Sequence, residues 1–145
     1  MKKKLRDYHF NKHSCFLLQY HLVLVTKYRK EVFIDKMENY LTDFVNSTMS
    51  KNDCNLIEIN YDKNHVHILF EIPVTLNLLN FINSMKSISS WMIKKRFEKH
   101  LKQFYWKNVF WLRSYFIYIV SEHTTILLKI ILKIKEKIET IHLHL

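Results

Sequence analysis

A chain with no glycine must make every tight turn from residues that carry a Cβ. This one has none in its 145 residues, and a single proline, Pro73. Average usage would supply roughly 7% glycine and 5% proline. Turns therefore fall to Asn, Asp, Ser and Lys, and Asn60-Tyr61-Asp62-Lys63-Asn64 is the clearest such cluster. The same absence closes every function that needs a glycine-rich phosphate loop, so P-loop and Rossmann readings are excluded. The accompanying wealth of Lys, Ile, Asn, Phe and Tyr is what an AT-rich coding bias would produce.

Apolar periodicity then divides the chain. Residues 1–14 are a polar, basic lead. Cys15 to Thr26, rich in β-branched and aromatic residues, reads as the first strand. A helix is expected from about Asp35, with Met37, Tyr40, Leu41, Phe44, Val45 and Met49 at helical spacing. Leu56 to Tyr61 is a second strand, and a hairpin leads into a third that ends at Pro73, which cannot donate to a ladder. Thr75 is the expected N-cap of a long helix reaching about His100, its stripe Leu78, Ile82, Met85, Ile88 and Met92. Ser114 to Val120 reads as a fourth strand after an aromatic segment, Phe104 to Trp111. A last helix, about Thr124 to Ile141, presents Leu127, Ile131, Ile134, Ile138 and Ile141. This order, βαββαβ plus a C-terminal helix, predicts one α+β domain over 1–145. Its economical form is ferredoxin-like (RRM-like), a four-stranded antiparallel sheet with two helices on one face.

The third strand contains the most suggestive chemistry. At a period of two, Val66, Ile68, Phe70 and Ile72 share one apolar face, and His65, His67, Leu69 and Glu71 share the other. Two imidazoles about 7 Å apart along a strand can converge on one metal ion. They can equally be exposed strand residues, although Asp62 and Asn64 nearby favour a site. His142 and His144 repeat the spacing at the end of a helical stripe, where an incidental pair is expected.

Lys and Arg exceed Asp and Glu to give a net charge of +10, which favours polyanionic partners, nucleic acid foremost. Three basic clusters interleave with aromatics: Lys27-Tyr28-Arg29-Lys30; Lys94-Lys95-Arg96 near Trp91; and Trp106-Lys107 with Trp111-Leu112-Arg113. Cations neutralise phosphates while rings stack on unpaired bases. Cys15 and Cys54 are too few and too distant for a disulfide framework, so a reduced cytoplasmic setting is expected. The basic start lacks the apolar run of a signal peptide, and no stretch approaches ~18 uninterrupted apolar residues, so no membrane span is expected.

Three segments resemble one family. Tyr20-His21-Leu22-Val23-Leu24-Val25-Thr26-Lys27-Tyr28-Arg29-Lys30 resembles the opening strand and loop of the small single-tyrosine transposases of the insertion-sequence 200/605 type. Asp62 to Phe70 resembles their His-hydrophobe-His strand, and Phe110-Trp111-Leu112-Arg113-Ser114-Tyr115-Phe116 their late Trp-x-x-Ser-Tyr-Phe segment. The resemblance spans residues 15–120 and leaves 121–145 as a divergent C-terminal helix. It implies that His65 and His67 hold Mg²⁺ or Mn²⁺, and that the substrate is single-stranded DNA with hairpin ends. It further implies a homodimer, and a tyrosine on the last helix that forms a 5′-phosphotyrosine, with a glutamine one turn later completing the metal site.

The chain departs from that pattern at its end. No tyrosine follows Tyr118 and no glutamine follows Gln103. Tyr118 is the fallback nucleophile. The expectation is therefore a transposase by descent with a degenerate catalytic half, such as a frameshifted copy. The alternatives are a non-catalytic single-stranded nucleic-acid-binding domain, using Lys27, Tyr28, Arg29, Lys30, Lys94, Lys95, Arg96, Trp106 and Arg113, and a decayed reading frame without function.

Overall fold

The computed structural model describes the backbone of residues 17–120 and 124–143, with side chains over 17–120 and 130–141. The basic lead, Cys15, His144 and the side chains of Leu127 and His142 lie outside the described residues. Strands β1 (Leu17–Thr26), β2 (Asn55–Tyr61), β3 (His65–Pro73) and β4 (Trp111–Ile119) alternate with helices α1 (Asp35–Lys51), α2 (Leu78–Arg96), the single turn α3 (Glu98–Leu101) and α4 (Thr124–Leu143). The sheet order is β2-β3-β1-β4, with every pairing antiparallel. That is the ferredoxin-like arrangement.

The sheet is covered on both faces. Leu22 and Leu24 of β1 join Val66, Ile68, Phe70 and Ile72 of β3 in a core with Met37, Leu41, Val45 and Met49 of α1 and Ile82, Met85 and Ile93 of α2. The intervening residues Val23 and Val25 point the opposite way and pack with Ile134 and Ile138 of α4. The C-terminal stripe is thus used at Ile134 and Ile138, with Ile130 packed beside them.

Without glycine, the chain bends at residues that carry a side chain. α1 closes in a Schellman pattern, with the Cys54 amide donating to the Met49 carbonyl at 2.9 Å and the Asp53 amide to the Ser50 carbonyl at 3.4 Å. Asp53 takes the left-handed position (φ 56°) that glycine usually occupies. Tyr28 and Arg29 are also left-handed, with φ of 56° and 52°, in the 3-10 turn Lys27–Arg29 after β1.

Three local expectations are corrected. Asn77, not Thr75, caps α2, its side chain accepting the Asn80 amide at 3.1 Å, because a turn closed by the Leu76 amide on the Pro73 carbonyl absorbs Thr75. The buried face of α2 is Phe81, Ile82, Met85, Ser89 and Ile93, so Ile88 is left outside at 46% exposure. Ser89 is buried because its hydroxyl accepts the Trp111 indole N–H at 3.0 Å and donates to the Lys86 carbonyl at 3.1 Å. Helix α2 also ends earlier than expected, at Arg96, where Phe97 leaves helical geometry (φ −114°, ψ 31°).

Removing the Ser89 hydroxyl strands a buried indole N–H, so Ser89→Ala should destabilise the fold by about 1–3 kcal/mol. Urea unfolding of the variant beside the wild type checks this, and an unchanged midpoint would show that the bond contributes nothing.

Candidate metal centre

The β2–β3 turn builds this site. The Asp62 amide donates to the His65 carbonyl at 2.8 Å, which folds the Asp62 carboxylate back over the polar face of β3. Asp62 Oδ2 then lies 2.9 Å from His65 Nε2 and 3.8 Å from His67 Nε2. One ligand atom from each of Asp62, His65 and His67 falls within 4.8 Å of the others. The rings of His65 and His67 meet edge to face, 4.9 Å between centroids.

Asn64 fixes the first imidazole. Its Oδ1 is 2.7 Å from His65 Nδ1, and its Nδ2 donates to the Arg29 carbonyl at 3.5 Å, so the amide oxygen faces the ring. An oxygen there can only accept, which places the His65 proton on Nδ1 and leaves Nε2 as a lone pair. The Asn64 carbonyl accepts the Thr26 amide at 2.9 Å, with the Thr26 hydroxyl oxygen 3.0 Å away. His67 Nδ1 lies 2.9 Å from His21 Nε2 on β1.

The Nε2 atoms of His65 and His67 are both buried and have no hydrogen-bond partner among the described residues. With the His65 proton held on Nδ1 by Asn64, the 2.9 Å approach of Asp62 Oδ2 to His65 Nε2 is a contact between acceptors. Buried nitrogen lone pairs converging on a carboxylate repel one another unless a cation joins them. The donor set of two imidazoles and one carboxylate fits a divalent transition-type ion. Asp62 is half exposed, so such a site would open to solvent on that side.

Burial is the first cause that lowers the pKa of all three histidines. His67 is pushed to about 4 by desolvation, then by His65, His21 and Lys135. For His65, burial outweighs the opposing pull of Asp62, and for His21 it outweighs Glu58. Lys135 comes from α4, where it lines a cleft of about 540 Å³ with Glu139, Glu31, Asp62 and His65. A larger cleft of about 880 Å³ lies between α1 and α2, lined by Tyr40, Phe44, Phe81 and Met85 among others. It lacks any metal-ligating cluster, so chemistry rather than size selects the smaller one.

The residues singled out for nucleic acid fall in three places. Tyr28, 44% exposed, and Trp106, 86% exposed, are linked by Lys107, whose ammonium sits 4.8 Å from the Trp106 ring and 5.8 Å from Tyr28. Lys27 lies over Tyr28 at 5.5 Å. Lys94, Lys102, Trp106 and Lys107 share a groove of about 380 Å³. Lys95 stacks on Trp91 and Arg96 on Tyr40 elsewhere on α2. Lys30 and Arg113 are exposed, and the Arg113 carbonyl accepts Lys86 Nζ at 2.7 Å. Arg29 is buried, its Nε without a hydrogen-bond partner among the described residues.

Tyr118 pairs with His21 across β1–β4, two strand spacings (about 10 Å) from β3. Burial raises its pKa, the reverse of what activates a nucleophile. Sequence reasoning passed over Asp62 as a ligand, and also His21, Lys135 and Glu139. Only Asp62 carried a readable signal, three residues before His65 in a turn cluster.

Comparison with known proteins follows the same lines. The family model described as "Transposase IS200 like" matches residues 14–133. The transposase for insertion sequence element IS200 of Salmonella typhimurium is 28% identical over 112 residues, covering 77% of this chain and 73% of that protein. ISDra2 transposase TnpA of Deinococcus radiodurans is 28% identical over 109 residues, covering 75% and 77% respectively. A crystal structure assigned to a transposase of Deinococcus radiodurans R1 superposes with a TM-score of 0.71 at 30% identity, covering 86% of this chain and 91% of that one.

The low His67 pKa gives stability a pH dependence of known sign. Between the unfolded value of 6.5 and the folded value of about 4, the unfolded chain binds a proton that the folded one does not. This contribution is therefore present above pH 6.5 and is lost as pH falls, by on the order of 3 kcal/mol below pH 4. Metal-free urea unfolding at pH 7.5 and 4.5 should show a larger loss for wild type than for His67→Gln. Equal losses would mean that the ring is not held neutral by burial.

Proposed function

The chain belongs to the IS200-like transposase family, and on that premise we propose that it binds single-stranded DNA with hairpin ends, as a cytoplasmic homodimer, at a divalent-metal site whose strand-cleaving partner is lost. The convergence of Asp62, His65 and His67 is the observation that carries the metal half of this reading. A divalent ion held there would act as a Lewis acid on a scissile phosphodiester. Two imidazoles favour Mn²⁺ over the harder Mg²⁺.

The chain's own residues supply the remaining roles. Lys135 faces the cleft beside His65 and receives the negative charge of a phosphate. Tyr28 and Trp106 offer exposed ring faces to unpaired bases, and Lys27, Lys94 and Lys107 meet the flanking phosphates. Arg29, Lys30, Lys95, Arg96 and Arg113 extend the basic surface.

The nucleophile is where the reading departs from the family. The resemblance calls for a tyrosine and, one turn on, a glutamine on the last helix. At the cleft α4 presents Lys135 and Glu139, one turn apart, and neither offers a hydroxyl. The protein thus retains DNA and metal binding without forming a 5′-phosphotyrosine on α4. Tyr118 is the tyrosine on that sheet face of β4, and its half-buried, raised-pKa setting makes it a poor substitute. A non-catalytic single-stranded binder is the functional outcome. Among the described residues no helix is long and apolar enough to cross a membrane.

The test is purified protein with end-labelled single-stranded hairpin DNA and Mn²⁺. We expect a retarded band on native gels, weakening steeply with salt, and no covalent adduct on denaturing gels. Trp106→Ala should weaken binding about ten-fold through lost stacking. An adduct abolished by Tyr118→Phe would overturn the loss of catalysis, and absence of binding would overturn the DNA reading. Separately, Mn²⁺ should raise the melting temperature of wild type but not of Asp62→Ala; equal shifts would remove Asp62 from the ligand set.

A further inference from the structure

His65 receives its orientation from Asn64, its neighbour in the chain. His67 has no such local partner. The β1–β3 register sets Val23 opposite His67 and Leu69 opposite His21, which makes His21 the diagonal neighbour of His67 on the same face. Its Nε2 reaches His67 Nδ1 at 2.9 Å, the rings edge to face at 73° and 5.2 Å between centroids.

Two proton arrangements satisfy that contact. In one, His21 Nε2–H donates and His67 carries its own proton on Nε2. That N–H would then be buried with no hydrogen-bond acceptor among the described residues, since Asp62 Oδ2 at 3.8 Å is too far. In the other, His67 Nδ1–H donates to His21 and His67 Nε2 is a lone pair aimed at Asp62 and His65 Nε2. Only the second turns all three groups into ligands, and it matches the arrangement that Asn64 imposes on His65.

We infer that His21 is a positioning residue for the metal centre, accepting the His67 Nδ1 proton and so committing His67 to bind a divalent cation through Nε2. Carboxylates and carbonyls commonly hold the far nitrogen of a metal-bound histidine; here a third imidazole on the adjacent strand does so. The inference rests on the metal-site reading for its purpose, but its proton arrangement stands by itself.

The experiment compares wild type with His21→Phe, which keeps a ring and removes the acceptor, and His21→Gln, which restores an acceptor oxygen. Histidine tautomers are read by ¹⁵N NMR on the full, metal-free chain, and Mn²⁺ affinity by calorimetry. In wild type both His65 and His67 should be protonated at Nδ1. His21→Phe should shift His67 toward the Nε2–H form, leave His65 unchanged as the internal control, and weaken Mn²⁺ binding by about 10- to 100-fold. His21→Gln should recover the His67 tautomer and most of the affinity. A wild-type His67 protonated at Nε2, or a His21→Phe chain with unaltered tautomer and affinity, would overturn the inference. If wild type shows the Nδ1–H tautomer but binds no Mn²⁺, the metal reading fails while the hydrogen-bond assignment survives.

Discussion

The register of β3 is the constraint on which the rest depends. Val66, Ile68, Phe70 and Ile72 are all 2% exposed or less, and they are held between β2 on one side and β1 on the other. Because side chains alternate, slipping β3 by one residue would send His65, His67 and Glu71 into the apolar core and bring four aliphatic and aromatic groups out. Burying two imidazoles without partners there costs far more than any local preference could offset. Hydrophobic burial on one face therefore fixes the position of His65 and His67 on the other, and the geometry of the cluster is a by-product of core packing.

Missing glycine shapes the loops around that strand. Left-handed backbone at Tyr28 and Arg29 carries a cost on the order of 1–3 kcal/mol each, and such strain persists only where surrounding bonds over-determine it. They do so here. The Lys27 carbonyl accepts the Tyr105 hydroxyl at 2.7 Å, the Lys30 carbonyl accepts the Thr26 hydroxyl at 2.7 Å, and the Arg29 carbonyl accepts Asn64 Nδ2. Since Asn64 also holds His65, the strained basic turn and the Asp62–His65–His67 cluster share one amide. The exposed Tyr28 ring is set outward by the same backbone.

What could be read beforehand was what depends on local pattern. The alternation of β3 announced its two faces, and helical spacing announced Met37, Leu41, Val45 and Met49, the buried line of α1. What escaped depends on pairing across the chain. Ser89 replaced Ile88 in the core because an indole N–H arrives from β4, a partner that spacing along α2 cannot disclose. His21 joined the site through a diagonal contact set by the β1–β3 register. Lys135 and Glu139 joined it because α4 docks on the polar face, a choice made by Val23 and Val25 meeting Ile134 and Ile138. Residues of one hairpin were legible, and residues brought from other elements were not.

That division also explains how, on the proposed reading, a metal-binding half outlasts a cleaving half. His65 and His67 alternate with core residues on a central strand, and Asp62 and Asn64 form the turn that starts it. Substitutions in the strand disturb folding, with core changes costing several kcal/mol. Among the described side chains, α4 meets the sheet at Ile130, Ile134 and Ile138, while Lys135, Glu136 and Glu139 are exposed. Exposed helix positions tolerate most replacements within about 0.5 kcal/mol. A nucleophile on that helix can be exchanged without penalty to the fold, provided the aliphatic stripe stays. His65 and His67 are protected by stability itself, whereas any catalytic group on α4 has only its chemistry to preserve it.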